Sequence, residues 1–153
     1  MHSSARSSTC FGGSDLDATI ERAAIAKDES KCQLSVAKAA LRCAATQLKA
    51  FNKCQSHGLK SGEIQSAVGL ELCVGADPKG KIAQKCVVAF ETKALPKRCD
   101  SQGVDLSDAF PGCDDDDVDD VARCIDARVS CAVCEALNVV DDLFLPCEVC
   151  DEG

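Results

Sequence analysis

Thirteen cysteines in a chain of 153 residues are the side chains with the clearest chemical potential in this sequence. Cysteines form disulfides in an oxidising compartment, whereas in a reducing one their thiolates bind soft metals such as Zn(II) or Cu(I). The aromatic residues are five Phe, with no Trp and no Tyr, so large rings contribute little to the core. We therefore expect cross-links to compensate, and we favour disulfides in a secreted protein.

The spacing of six cysteines predicts a ladder of disulfides. Three recur every 11 residues from Cys32, which on a helix leaves a net rotation of about 20° per step and aligns the thiols in one stripe. Three more recur every 13 residues from Cys73. When the first set is paired with the second from the outside inward, the two residue numbers of each pair add up to nearly the same value. This is the pattern expected for an antiparallel hairpin. Among 15 connectivities, this geometry predicts Cys32–Cys99, Cys43–Cys86 and Cys54–Cys73.

The same reasoning applies to the cysteines near the C-terminus. Their numbers predict two disulfides that hold the tail against the last helix and one that spans the start of this helix. These pairs are Cys131–Cys150, Cys134–Cys147 and Cys113–Cys124. Cys10 is then the odd cysteine, and it is predicted to be a free thiol or to form an intermolecular bond.

Two metal-binding alternatives remain open beside the disulfides. The Cys-x-x-Cys pairs at 131–134 and 147–150 have zinc spacing, although the first continues a helical pattern rather than a tight turn. The stripe of cysteines that starts at Cys32 resembles the thiol lining of Cu(I)-storage bundles, although its spacing is sparse. On the disulfide interpretation no cofactor is expected.

Several other classes of function find little support. The two histidines, His2 and His57, lie on the terminal arm and in a predicted turn, and no cysteine stands out as a nucleophile, so no enzyme is predicted. The acidic run 114–120 lacks the glycine that a calcium-binding EF-hand loop requires. A net charge of −8 disfavours nucleic acid as a partner, and no apolar run is long enough for membrane insertion.

Helix-favouring residues and the absence of strand-type alternation predict an all-α fold: a disulfide-laddered antiparallel helical hairpin, followed by a C-terminal helix with a cross-linked tail. Its parts are an N-terminal arm (1–13), the stapled hairpin (14–99), a linker (100–113) and an acidic helix with its tail (114–153). Helices are predicted over 15–56, 62–74, 80–95 and 115–138. A turn is expected at Gly58, a cap at Ser61 and a helix end at Pro96.

Two apolar seams are predicted to pack against each other inside the molecule. The seam on the first helix contains Leu34, Ala37, Leu41, Ala44, Leu48 and Phe51. The seam on the last helix contains Val118, Val121, Ile125, Val129, Ala132 and Ala136. A solvated side of the first helix is expected at Lys31, Lys38, Arg42, Lys49 and Lys53.

The charges are distributed unevenly along the chain. Residues 1–99 hold 15 basic and 9 acidic side chains, whereas residues 100–153 hold 2 basic and 16 acidic ones. Such polarity favours closure of the molecule on itself or head-to-tail contact between copies. We therefore predict a self-assembling extracellular building block, with a thiolate metal-binding protein and a monomeric extracellular binding module as alternatives.

Part of the sequence resembles a group of cysteine-rich exported bacterial proteins. The resemblance is carried by Leu106–Cys113 (LSDAFPGC), by the cysteines and neighbours of 124–141, by the 147–153 tail and by Leu48–Cys54 (LKAFNKC). It spans residues 32–153 and implies export and disulfide bonding, but no catalytic activity. Residues 1–10 contain no apolar signal-peptide core, and secretion would therefore imply that a leader has been removed.

Overall fold

A computed structural model describes residues 27–141 and 143–152 of the protein. These residues are mostly helical and contain no strand, which confirms the all-α prediction. The predicted N-terminal arm, the predicted helix start near residue 15 and Cys10 lie outside the described residues.

Helix α1 spans Lys27–Ser61 and forms one arm of a hairpin. The predicted turn at Gly58 is wrong, because the helix continues for another turn. Gly58 is buried where an added Cβ would overlap the Ile64 side chain, so a larger residue here would require Ile64 to move. The helix ends at Ser61, and Gly62 follows with a left-handed φ of 77°. The Ile64 amide donates to the Gly58 carbonyl over 3.0 Å.

The return arm is a series of short helical segments. They are α2 (Ala67–Glu71), α3 (Lys81–Lys85), α4 (Val87–Ala89), a π-helical turn (Phe90–Ala94) and α5 (Leu95–Arg98). Ser66, and not Ser61, occupies the N-cap position of α2. The predicted end at Pro96 is wrong, because the Leu95 amide bonds back to the Phe90 carbonyl. This π turn places Pro96 in the first turn of α5, where its missing N–H is not needed.

The segment 100–113, predicted as a linker, contributes to the core. It contains a 3₁₀ turn (Asp100–Gln102) and helix α6 (Leu106–Ala109), and Asp105 caps α6 by accepting from two backbone amides. Leu106, Ala109 and Phe110 are buried. Helix α7 (Val118–Val140) follows, and a 3₁₀ turn (Glu148–Glu152) lies in the tail.

The predicted seam on α1 is only partly correct: Ala44 and Leu48 pack against the core, but Leu34 and Leu41 do not, because α1 buries one broad face instead of two. Val36 and Ala40 are buried beside the cysteine stripe, whereas Leu34 and Leu41 are exposed to 59% and 72%. The return arm and α7 both contact this same face of α1. Phe51, at the edge of the face, is the member of the predicted seam that is fully buried.

The predicted seam on α7 is correct only in its first half. Val121, Ile125 and Val129 are buried, but Ala132 and Ala136 are exposed, and Val133 and Leu137 take their places. A heptad repeat drifts by about 20° per seven residues on a straight helix. After Val129 the side chains that point inward are therefore one position further along the sequence than predicted, at Val133 and Leu137.

Asn138 holds the tail against α7 through two hydrogen bonds. Its Nδ2 donates to the Leu145 carbonyl over 3.1 Å, and its Oδ1 accepts from the Leu145 amide over 2.8 Å. The Asn138 side chain is half-buried. It provides hydrogen-bond partners for backbone groups of a tail segment that has no regular secondary structure.

We expect Asn138→Ala to lower the free energy of unfolding by about 1–3 kcal/mol, because it leaves the Leu145 amide and carbonyl without partners. Urea denaturation followed by circular dichroism measures this loss. Glu135→Ala, at an exposed position on the same helix, is the control and should change stability by less than about 0.5 kcal/mol. Equal effects of the two variants would show that the Asn138 bonds contribute nothing.

Candidate functional site: a disulfide framework with two exposed apolar surfaces

Twelve described cysteines form six disulfides. Their connectivity is Cys32–Cys99, Cys43–Cys86, Cys54–Cys73, Cys113–Cys124, Cys131–Cys150 and Cys134–Cys147. These are the pairs that the residue numbering predicts. Cys10 lies outside the described residues.

The first three disulfides form a ladder between α1 and the return arm. Their Cα–Cα distances are 4.9, 4.7 and 5.6 Å, in order from Cys32 to Cys54 along α1. Five of the six cysteines in the ladder are buried, and Cys54 is half-buried. Because burial limits attack by external thiols, these cross-links suit a durable framework.

The Cys-x-x-Cys pairs do not present free thiolates in this state. Cys131 and Cys134, one turn apart on α7, are each bonded to a cysteine of the tail. Two groups of side chains have possible metal ligands within 4.8 Å of one another, namely Cys43, Cys86 and Asp126, and Cys131, Glu135 and Cys150. In each group the two cysteines are joined to each other, so one carboxylate remains.

One face of α1 carries exposed leucines, which we name the leucine stripe (Leu34, Leu41 and Leu59). Their side chains are 59%, 72% and 55% exposed. At about 100° per residue they lie opposite the cysteine stripe, and the exposed Lys31, Lys38 and Arg42 follow one border. Leu34 and Leu41 belong to the apolar seam that the sequence predicts, but Leu59 does not, and the predicted partner of the seam, α7, is wrong for these two leucines.

A second set of exposed apolar side chains, which we name the C-terminal patch, comprises Val139 and Val140 at the end of α7 and Phe144 in the tail. These side chains are 83%, 79% and 92% exposed. Exposed carboxylates surround the patch along the chain, at Glu135, Asp141 and Glu148. Sequence reasoning missed this surface, because the predicted end of the last helix at 138 assigned its residues to an undefined tail.

A cleft of about 630 Å³ lies between α1, the return arm, α7 and the tail. Its walls are largely apolar, with Phe51, Ile82 and Val133 among the lining residues. The sequence pattern contained no signal for this cleft, because its walls come from four separate segments.

Polar groups converge in the cleft beside the middle disulfide of the ladder. The Nε2 atom of Gln47 donates to the Ser130 hydroxyl over 3.0 Å and lies 3.4 and 3.6 Å from the sulfurs of Cys43 and Cys86. A carboxylate oxygen of Asp126 lies within 4.8 Å of both sulfurs. Burial, and then repulsion from Glu91, raises the pKa of Asp126 above its ordinary value.

We expect Asp126→Asn to increase stability at neutral pH. A raised pKa means that the folded protein holds this proton more tightly, so the ionised carboxylate opposes folding once the pH exceeds the folded pKa. Below the unfolded pKa of about 3.8 the carboxyl is protonated in both states, and the penalty disappears.

Thermal denaturation at pH 3 and pH 7 tests the direction of this change in stability. Asp126→Asn should raise the midpoint at pH 7 and leave it almost unchanged at pH 3. Asp119→Asn, in the exposed first turn of α7, is the control and should lower stability slightly at pH 7, because it removes a charge that favours the helix N-terminus. A lower midpoint for Asp126→Asn at pH 7 would contradict the assigned cause.

The fold and its cross-links define a small helical protein with a disulfide-rich framework of the extracellular type. No helix among residues 27–141 and 143–152 combines the length and hydropathy that crossing a bilayer requires. Comparison with known proteins finds no matching family model, no similar curated protein and no similar solved structure. The resemblance to exported bacterial proteins therefore stays a prediction.

Proposed function

We propose that this protein is an extracellular building block whose copies assemble head to tail. The leucine stripe of one copy contacts the C-terminal patch of the next. The observation that carries the proposal is the pairing of two exposed apolar surfaces with borders of opposite charge.

The leucine stripe differs from the scattered apolar residues of an ordinary surface. Single exposed leucines are common and need no partner. Leu34 and Leu41 are instead one heptad apart on the same face of a long helix, and Leu59 lies on this face about five turns further along. Exposed leucines on one face of a long helix present apolar surface that water solvates poorly.

The charges select the partner of the stripe. Two stripes in antiparallel contact would place the Lys31, Lys38 and Arg42 borders beside each other, which costs free energy. The C-terminal patch carries acidic borders at Glu135 and Asp141, so the heterologous contact brings opposite charges together. A contact between two different surfaces propagates into a ring or a filament.

Sedimentation velocity of the oxidised protein over a range of concentrations tests the proposal. Species larger than a dimer should appear as the concentration rises, and added salt should slow their formation because it screens the charged borders. A monomer at all concentrations in low salt would contradict assembly. A dimer that grows no further would contradict the head-to-tail arrangement.

The cleft favours a second candidate function, a monomeric extracellular binding module. Its volume of about 630 Å³ is within the range of small-molecule sites, about 300–1,000 Å³. This candidate requires ligand binding without self-association, so the same sedimentation experiment separates it from the building block.

A further inference from the structure

We propose that the cleft binds an aliphatic ammonium compound, with its cationic group at Asp126 and its alkyl chain along the apolar walls. The proposal is independent of self-assembly, because neither the leucine stripe nor the C-terminal patch lines the cleft. The cleft already combines a carboxylate, Asp126, with apolar walls, and these two features define the class of ligand that it can bind.

The apolar part of the site can accept an alkyl chain. Phe51 from α1, Ile82 from α3, Leu137 from α7 and Leu145 from the tail line the cleft. The disulfide Cys43–Cys86 joins α1 to the return arm, and Cys134–Cys147 joins α7 to the tail. Each of these two pairs of walls is therefore fixed covalently, which reduces the conformational entropy lost when a ligand binds. Binding would remove alkyl surface from water.

The charge of the cleft selects for a cation. The ionisable groups among its described lining residues are the carboxylates of Glu71, Asp77, Asp126 and Glu148, with no Lys, Arg or His. An anionic ligand would meet repulsion here, whereas an ammonium group would be attracted. The apolar walls offer nothing to a hydrated metal ion, so the cation should carry a hydrocarbon part.

Asp126 is the group best placed to anchor the ammonium. The Asp77 carboxylate already accepts from the Ala83 amide over 3.0 Å, and Glu71 and Glu148 are exposed. Asp126 is partly buried and accepts no hydrogen bond from the other described residues. Ser130 lies one turn further along the same face of α7, and its oxygen can accept a second N–H of the ligand.

Three probes of equal chain length test the proposal: octylammonium, 1-octanol and octanoate. Isothermal titration calorimetry of the oxidised full chain at neutral pH measures their affinities. Octylammonium should bind at least about tenfold more tightly than 1-octanol, since a hydrogen bond to a charged group contributes about this factor. Octanoate should bind most weakly.

Variants locate the binding. Asp126→Asn should weaken octylammonium about 10- to 100-fold and leave 1-octanol unchanged, whereas the control Asp119→Asn should leave both unchanged. Ala83→Trp, at an exposed position that lines the cleft, should block all three probes. Equal affinity for the three probes, no binding of octylammonium, or full affinity in Asp126→Asn would each overturn the proposal, and none of these results would affect the sedimentation test.

Discussion

The double replacement Cys43→Ala/Cys86→Ala is expected to lower the free energy of unfolding by about 3–5 kcal/mol. This is a large share of the total stability of a small domain, which is about 5–15 kcal/mol. Urea denaturation of the oxidised protein, followed by circular dichroism, measures the loss.

The size of the effect follows from the ladder. With the other disulfides intact, 11 residues separate Cys43 from Cys32 and 13 separate Cys86 from Cys99. The spacing to the other neighbouring rung is the same, so the middle cross-link closes a loop of about 24 residues on each side, and its removal merges the two loops into one. Closure of a loop of this size corresponds to about 3 kcal/mol. Both sulfurs are buried, so their loss also leaves a cavity in the core.

The disulfide Cys113–Cys124 provides the matched control. It closes a shorter loop, with a sequence separation of 11, and both of its cysteines are half-buried. The corresponding alanine pair should cost about 2–3 kcal/mol. If the middle pair of the ladder cost less than this control, the ladder would not be the main source of stability.

The replacement Leu41→Glu is expected to weaken self-association by about a hundredfold or more. It places a carboxylate in the centre of the leucine stripe, where the proposed neighbour contributes both an apolar surface and acidic borders. Truncation of a hot-spot residue at the centre of an interface costs at least about 2 kcal/mol, and the repulsion adds to this cost. The concentration dependence of the sedimentation coefficient measures the change.

Leu72→Glu is the control for this variant. Leu72 is 80% exposed, compared with 72% for Leu41, and it lies outside both surfaces. It introduces the same side chain at a similar exposure, so it should leave association unchanged. Equal loss of association in the two variants would show that added negative charge, and not the stripe, is responsible.

Much of this architecture is predictable because cysteine spacing is a geometric signal. The recurrence of 11 residues from Cys32 to Cys54 places three thiols on one helix face, and their pairing with Cys73, Cys86 and Cys99 follows from antiparallel geometry. Helix composition likewise predicts α7 to within a few residues at both ends and α1 to within a few residues at its C-terminal end, while the predicted start of α1 lies outside the described residues.

The errors arise where tertiary contacts override local pattern. A glycine normally ends a helix, but Gly58 is accommodated within α1 because it lies against Ile64. Leu34 and Leu41 have the heptad spacing of a packed seam, although packing on the opposite face leaves them exposed. Apolar periodicity identifies a face, and it does not say whether the partner lies in the same chain.

The cleft is the feature that sequence reasoning was least able to find. Asp126 and Gln47 are ordinary polar residues within amphipathic helices, and they meet only because α1 and α7 pack beside the disulfide Cys43–Cys86. Asn138 is a similar case, since its role depends on where the cross-linked tail returns to α7.

Mixing two complementary variants tests head-to-tail assembly most directly. Leu41→Glu disables the leucine stripe and Phe144→Glu disables the C-terminal patch, while each variant keeps the other surface intact. In sedimentation velocity, each variant alone should be a monomer, and an equimolar mixture should form a dimer that grows no further. A mixture that stays monomeric, or either variant assembling alone as the unmodified protein does, would contradict the head-to-tail contact.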